Sequence, residues 1–188
     1  KTGKFLVQPQ YDDAFPFSEG VARVKQGSKQ GYIDKTGAVA VAVQFTTASE
    51  FKDGFARVKI GDYRTGKWGF IDKTGKVVID YKFDDCWDFN ENMANVRLGD
   101  EVTGKWGYID KTGNMVISPK FDKSYFFRDG MALIRVGDFK TGKFGYIDKT
   151  GNIIIKPEYD AGWDFKEGLA RVQKGEKWGF VDNKGQIA

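Results

Sequence analysis

The tetrapeptide Asp-Lys-Thr-Gly occurs four times, at Asp34–Gly37, Asp72–Gly75, Asp110–Gly113 and Asp148–Gly151. Lys1-Thr2-Gly3 carries its last three residues, and Asp182-Asn183-Lys184-Gly185 is a variant. From Gly3 through Gly37, Gly75, Gly113 and Gly151 to Gly185 the steps are 34, 38, 38, 38 and 34 residues. One supersecondary unit is therefore used five times, and the fold must be built from similar parts that cover one another. Residues 1–188 read as a single array, with repeats near 4–37, 38–75, 76–113, 114–151 and 152–185.

Each repeat follows one grammar. A short strand such as Phe55-Ala56-Arg57-Val58 is followed by a turn, then by Lys67-Trp68-Gly69-Phe70-Ile71-Asp72. The Lys-Thr-Gly turn leads into Lys76-Val77-Val78-Ile79, and an aromatic loop, Phe83-Asp84-Asp85-Cys86-Trp87-Asp88-Phe89, closes the unit. These runs of β-branched and aromatic residues between turn residues predict strands. No segment keeps a 3.6-residue apolar period, so helix is expected to be nearly absent. The predicted fold class is all-β: five antiparallel three-stranded meanders in tandem, drawn first as an open twisted superhelix. A closed five-bladed propeller is the alternative.

The turns have local chemical causes. In Asp72-Lys73-Thr74-Gly75 the carboxylate can bond the backbone of a type I turn, and the glycine supplies a left-handed residue. The other turn is Gln26-Gly27-Ser28-Lys29-Gln30 in the first unit and runs from Ile60 to Lys67 in the second. That four-residue extension accounts for the change of step from 34 to 38 and marks a surface loop.

Composition narrows the function. The chain has no histidine, which removes the commonest general base and metal ligand. Its one cysteine, Cys86, cannot form an internal disulfide or a Cys/His zinc site. Thirty Lys and Arg stand against 26 Asp and Glu, a net charge of +4 with the signs interleaved, so nucleic acid is not an expected partner. No apolar run approaches the about 18 residues of a membrane span, and this segment is not expected to insert. Because it opens inside a repeat, the chain reads as a fragment whose targeting segment lies elsewhere. The expected compartment is extracytoplasmic, at the cell surface or in the periplasm.

The run Lys-Trp-Gly-Phe-Ile-Asp-Lys-Thr-Gly at 67–75 resembles the bacterial WG, or KWG, repeat family. Lys105-Trp106-Gly107-Tyr108-Ile109-Asp110 and Lys177-Trp178-Gly179-Phe180-Val181-Asp182 match it as well. Lys143-Phe144-Gly145-Tyr146 departs by Trp to Phe, and Gln30-Gly31-Tyr32 lacks the Trp. The resemblance covers essentially the whole chain, and it implies a repeat module without a transferable activity or cofactor.

Trp68, Trp106, Phe144 and Trp178 are expected to be structural, packing one repeat on the next, since a large aromatic in a small sheet is normally buried. The adjoining glycine, mid-strand, predicts a neighbouring backbone or ring in close approach. The repeated aspartates are explained as turn residues, and no metal site or cofactor is expected. A catalytic site that arose once should break the repeat, and the breaks at Glu50, Cys86 and Glu158 bring no partners; no catalytic residue is assigned. Cys86 occupies a small-residue position shared with Ala14, Ala48, Ser124 and Gly162 and reads as a buried filler. The candidate binding residues lie in the aromatic loops, where the fourth residue after the leading aromatic is Phe15, Ser49, Trp87, Tyr125 or Trp163. Phe15, Trp87, Tyr125 and Trp163 keep an aromatic while varying in shape, as an interaction surface would. The expected function is a non-catalytic module for protein–protein interaction or scaffolding. The alternative partner is a glycan or cell-wall polymer held by these rings.

Overall fold

The computed structural model describes Phe5 and residues 7–187. Among them there is no helix, and the strands form five antiparallel sheets of three or four strands in tandem. Two compact units divide the chain, Lys1–Asp88 and Phe89–Ala188.

The first unit holds two complete meanders. The first sheet has the order β1 (Asp13–Ser18), β2 (Val21–Gln26), β3 (Lys29–Asp34) and β4 (Val39–Phe45). The second runs β5 (Thr47–Ala48), β6 (Ala56–Ile60), β7 (Lys67–Ile71) and β8 (Val77–Phe83), and β9 (Asp85–Cys86) follows. Val21, Tyr32, Val41, Phe45, Ala48, Phe51, Ala56, Val58 and Ile71 form a core shared by both sheets. Neither sheet could bury its apolar face alone.

The second unit repeats the plan. Strands β10 (Met93–Leu98), β11 (Lys105–Asp110) and β12 (Met115–Phe121) are successive neighbours in the third sheet. The fourth is β13 (Lys123–Arg128), β14 (Met131–Val136), β15 (Lys143–Asp148) and β16 (Ile153–Tyr159), and the fifth is β17 (Ala161–Gly162), β18 (Leu169–Lys174) and β19 (Lys177–Asp182). Met131, Leu133, Tyr146, Ile155, Tyr159, Phe165, Ala170, Val172 and Val181 pack together between the fourth and fifth.

The sheets are out of phase with the sequence repeat. A repeat counted from glycine to glycine contains three strands, yet the first, second and fourth sheets have four. The additional strand comes from the start of the aromatic loop. After Phe45 the chain turns into β5, where Thr47 pairs with Lys59 and Ala48 with Val58. A loop two residues into the next sheet is an edge strand, and the small residue there is buried: Ala48, Cys86 and Ser124 all lie in the interior.

The motif residues now have physical roles. In the Asp-Lys-Thr-Gly turn the Asp72 carboxylate accepts the Thr74 N–H at 2.9 Å, the Thr74 hydroxyl at 2.6 Å and the Lys76 N–H at 3.1 Å. Gly75 has φ +82°, and a Cβ there would stand 3.0 Å from Val41 Cγ1 of the first sheet, so a second constraint joins the turn geometry. Gly69 answers to a bulge. Trp68 pairs with Phe83 and Phe70 with Ile79, so the β8 backbone bows over the glycine, and a Cβ would meet the Ile79 carbonyl oxygen at 2.6 Å. Lys67, Lys105 and Lys143 pair with Asp84, Asp122 and Asp160, bracing the meander to the start of the following segment.

The acidic hairpin turns between β1 and β2 and between β13 and β14 have two successive residues at positive φ: Glu19 (50°) and Gly20 (94°), Asp129 (50°) and Gly130 (76°). This is the backbone twist that two-residue hairpins favour. An acidic residue in that region is strained, and its side chain makes a contact that offsets the strain. Glu19 accepts the Gly54 N–H of the second sheet at 3.1 Å, and Asp129 accepts the Gly168 N–H of the fifth at 3.0 Å.

Candidate functional site

The aromatic segments are fixed at both ends. The leading aromatics Phe45, Phe83, Phe121 and Tyr159 are buried, and so are Phe51, Phe89, Phe127 and Phe165 six residues later. The residue between them is carried outward. Trp87 is 38% and Trp163 48% exposed, and Phe15 and Tyr125 are half-buried. Inner tyrosines hold the segment in place: the Tyr108 hydroxyl donates to the Tyr125 carbonyl and that of Tyr146 to the Trp163 carbonyl, each at 2.8 Å.

The residues expected to be core lie beside these. Trp106 is 3% exposed, and Trp68 and Phe144 are half-buried. Trp178 differs from expectation at 47% exposure. Trp68, Trp106 and Phe144 face Phe83, Phe121 and Tyr159 on a following strand. Along the outer side of β19 the described residues supply only the bridge from Val181 to Ile187, and none of them pairs across Trp178 there. Its ring instead meets Trp163 edge-on at 5.0 Å. In the second unit members of the two groups touch, Trp178 against Trp163 and Phe144 against Tyr125, while Trp106 stays in the core.

Arginines thread these rings, and sequence reasoning missed them. Arg57 Nε is 2.9 Å from Asp88 Oδ1, and its Nη1 donates to the Cys86 carbonyl at 2.7 Å. The same guanidinium lies 5.1 Å from the centre of the Trp68 ring and 5.7 Å from that of Trp87. Arg23 stacks on Phe15 at 3.4 Å, and Arg171 lies 4.3 Å from Trp163 and 4.7 Å from Trp178. Such cation–π contacts hold a planar cation against a ring while leaving its edge in water. The signal was available in the repeat: the third strand position after each acidic turn reads Arg23, Arg57, Asn95, Leu133 and Arg171.

In the second unit this position changes hands. Asn95 Nδ2 donates to the Ser124 carbonyl at 3.1 Å. Leu133 is buried and carries no donor. Beside it, between the fourth and fifth sheets, a cavity of about 800 Å³ is lined by Tyr125, Phe144, Trp163 and Asp164 among others. Asp164 is solvent-exposed at the rim of the cavity; partial desolvation by its neighbours pushes its carboxyl up, with the Arg128 charge pulling the other way.

Cys86 is fully buried, which raises its thiol. Glu158 pairs with Lys174 at 2.7 Å on the surface. Among the described residues no three Cys, Asp or Glu side chains gather where they could hold a metal ion.

The crystal structure of a eukaryotic initiation factor matches 90% of this chain with a TM-score of 0.60 at 14% identity. The chain spans 50% of that protein's chain, and the likeness is one of fold. A protein of unknown function from Bacteroides caccae (TM-score 0.40, 14% identity, 95% of this chain and 80% of that one) is a looser match. So is prolyl oligopeptidase B from Galerina marginata (TM-score 0.42, 11% identity, 87% and 28%). No curated protein sequence matches the chain. The family model of the WG containing repeat matches residues 1–29, 31–63, 68–101, 106–138 and 144–178, in step with the motifs that the sheets are built from. The chain belongs to the WG containing repeat family.

Proposed function

We propose that this chain is a non-catalytic interaction module and that its partner is another protein, bound on the aromatic segments. The observation that carries this reading is the group formed by Trp163, Trp178 and Arg171, two half-exposed indoles and a guanidinium held on a sheet scaffold. Trp, Tyr and Arg are the side chains that dominate protein–protein hot spots, because each offers large contact area with a polar edge. The sheets keep these groups in fixed positions, so little order has to be imposed on binding.

A glycan is the second reading, since exposed indole faces also stack on sugar rings. The two are separated by a glycan array and by affinity capture with a Trp87→Ala/Trp163→Ala variant alongside the native chain. A protein partner retained by the native chain and lost by the variant, with no glycan signal, supports the proposal. Glycan binding that disappears with the same two substitutions overturns it in favour of the second reading.

A further inference from the structure

The first unit contains a filled version of the cavity in the second. Positions 76 residues apart correspond: Trp68 with Phe144, Cys86 with Gly162, Trp87 with Trp163, Asp88 with Asp164, and Arg57 with Leu133. In the first unit the side chain at 57 crosses from the second sheet and places a guanidinium between two aromatic rings, against the Asp88 carboxylate and the Cys86 carbonyl. In the second unit both aromatic rings and the carboxylate are kept, but the arginine at the position of Arg57 is replaced by Leu133; Arg171 lies 4.3 Å from the Trp163 ring and makes no ion pair with Asp164. Leu133 ends against Gly162, where a Cβ would stand 2.8 Å from Leu133 Cδ1, so it reaches no further toward Asp164. Leu133 and Gly162 both line the cavity.

We propose that the cavity between the fourth and fifth sheets accepts an arginine side chain from a partner protein, its guanidinium taking on Asp164 the place that Arg57 takes on Asp88. This rests on the reading of the chain as a protein-binding module and names the group recognised. Asp164 makes no hydrogen bond or ion pair with any described residue, and the solvent-exposed Arg128 lies near without pairing to it. Tyr125 stands where the second sheet has Ser49, so the cavity has a third aromatic wall, its ring centre 6.4 Å from that of Phe144. The lining also carries Asp129, whose carboxylate is taken by the Gly168 N–H, and the exposed Arg128 and Lys166. Flat aromatic walls beside the unpaired Asp164 carboxylate suit a planar, weakly hydrated cation with a fork of donors. A compact, strongly hydrated ammonium gains less from them.

The probes are acetyl-Gly-Arg-Gly-amide and the same peptide with citrulline or lysine in place of arginine, titrated into the ¹⁵N-labelled full chain. The indole N–H of Trp163 is the reporter. The arginine peptide should shift it saturably, the lysine peptide should bind more weakly, and the uncharged citrulline peptide should leave it in place. Asp164→Asn should weaken arginine binding roughly tenfold or more, because it removes the charge partner. Leu133→Arg should abolish binding by supplying the guanidinium from within. Two results overturn the proposal: citrulline binding as arginine does, or Asp164→Asn titrating like the native chain. Tighter binding of lysine than of arginine overturns the choice of guanidinium. A partner captured through the aromatic face keeps the two claims apart. If it binds Asp164→Asn and Leu133→Arg as tightly as the native chain, the arginine site falls and the interaction module stands. If neither peptide nor partner binds, both fall.

Discussion

Glu91 accepts the backbone N–H of Gly130 at 3.2 Å, tying a hairpin turn of the third sheet to the equivalent turn of the fourth. Lys149 closes on the same carboxylate at 2.9 Å. Asp129 repeats the bond toward Gly168, and Glu19 makes it toward Gly54, with Lys73 as the accompanying cation. Asp129→Ala should therefore loosen the link between the fourth and fifth sheets and lower stability by about 1 kcal/mol in urea titration. Asp129→Asn keeps an acceptor and tolerates positive φ, so it should cost less. Equal losses would show that the bond between sheets contributes nothing.

The two tryptophans at equivalent positions should behave differently. Trp106 is buried against Phe121, and its replacement by Ala should cost about 3–5 kcal/mol. Trp178 is half-exposed and should cost well under half of that. Chemical denaturation of the two variants side by side measures the difference. A near-native Trp106→Ala would contradict the packing described.

Acid should destabilise the chain through its turns. Hydrogen bonds from Thr65, first from the hydroxyl and then from the N–H, hold Asp62 at about 2, and Thr103 does the same for Asp100. Asp34 and Asp110 are lowered in the same way by Thr36 and Thr112. A folded-state value below the unfolded one, about 3.9 for Asp, means the contribution is complete above that value and is lost as the pH falls through the folded value. The urea midpoint should be flat from pH 7 to about 5 and fall between about 4 and 2. The individual effects are small because the groups are exposed. A midpoint that rises toward pH 2 would reverse the assignment.

Cys86 is sealed in the interior, with its thiol raised by desolvation and the Arg57 charge pulling the other way. Alkylation by iodoacetamide should follow the rate of unfolding and not the thiol's own chemistry. Labelling of the native chain within minutes at neutral pH would mean that the edge strand β9 opens far more readily than its burial implies.

The strands and turns were legible in the sequence because their causes are local. Asp72 bonds groups two and four residues away, and the Gly-to-Gly spacing exposes the period directly. The fourth strand was not legible, because Ala48 becomes a strand residue only by pairing with Val58, and the two residues of β5 are too few to show a pattern of their own. The expectation that Gly69 marks a close approach was sound, and its cause is the bowed β8 backbone. Aromatic residues at 87, 125 and 163 could be picked out by their changing shapes, yet nothing in that pattern reveals which cation each ring meets. The Trp87 ring meets Arg57 from a distant segment, the same arginine that joins Asp88, whereas Trp163 meets Arg171 from the neighbouring strand. Leu133 is the exception, since aligning the repeats on the acidic turns is enough to show a cation lost there.

The phase shift between repeat and sheet has a genetic consequence. The stretch of chain that is copied and the stretch that folds together need not share boundaries. Strand order is cyclic along the sequence, so between Gly37 and Gly151 any window of 38 residues contains one full complement of strands, wherever it begins. A duplication or deletion of that length within the three central repeats, with breakpoints anywhere in that part of the coding sequence, therefore adds or removes one set of strands in register. Recombination can lengthen or shorten such a chain without having to find a domain border.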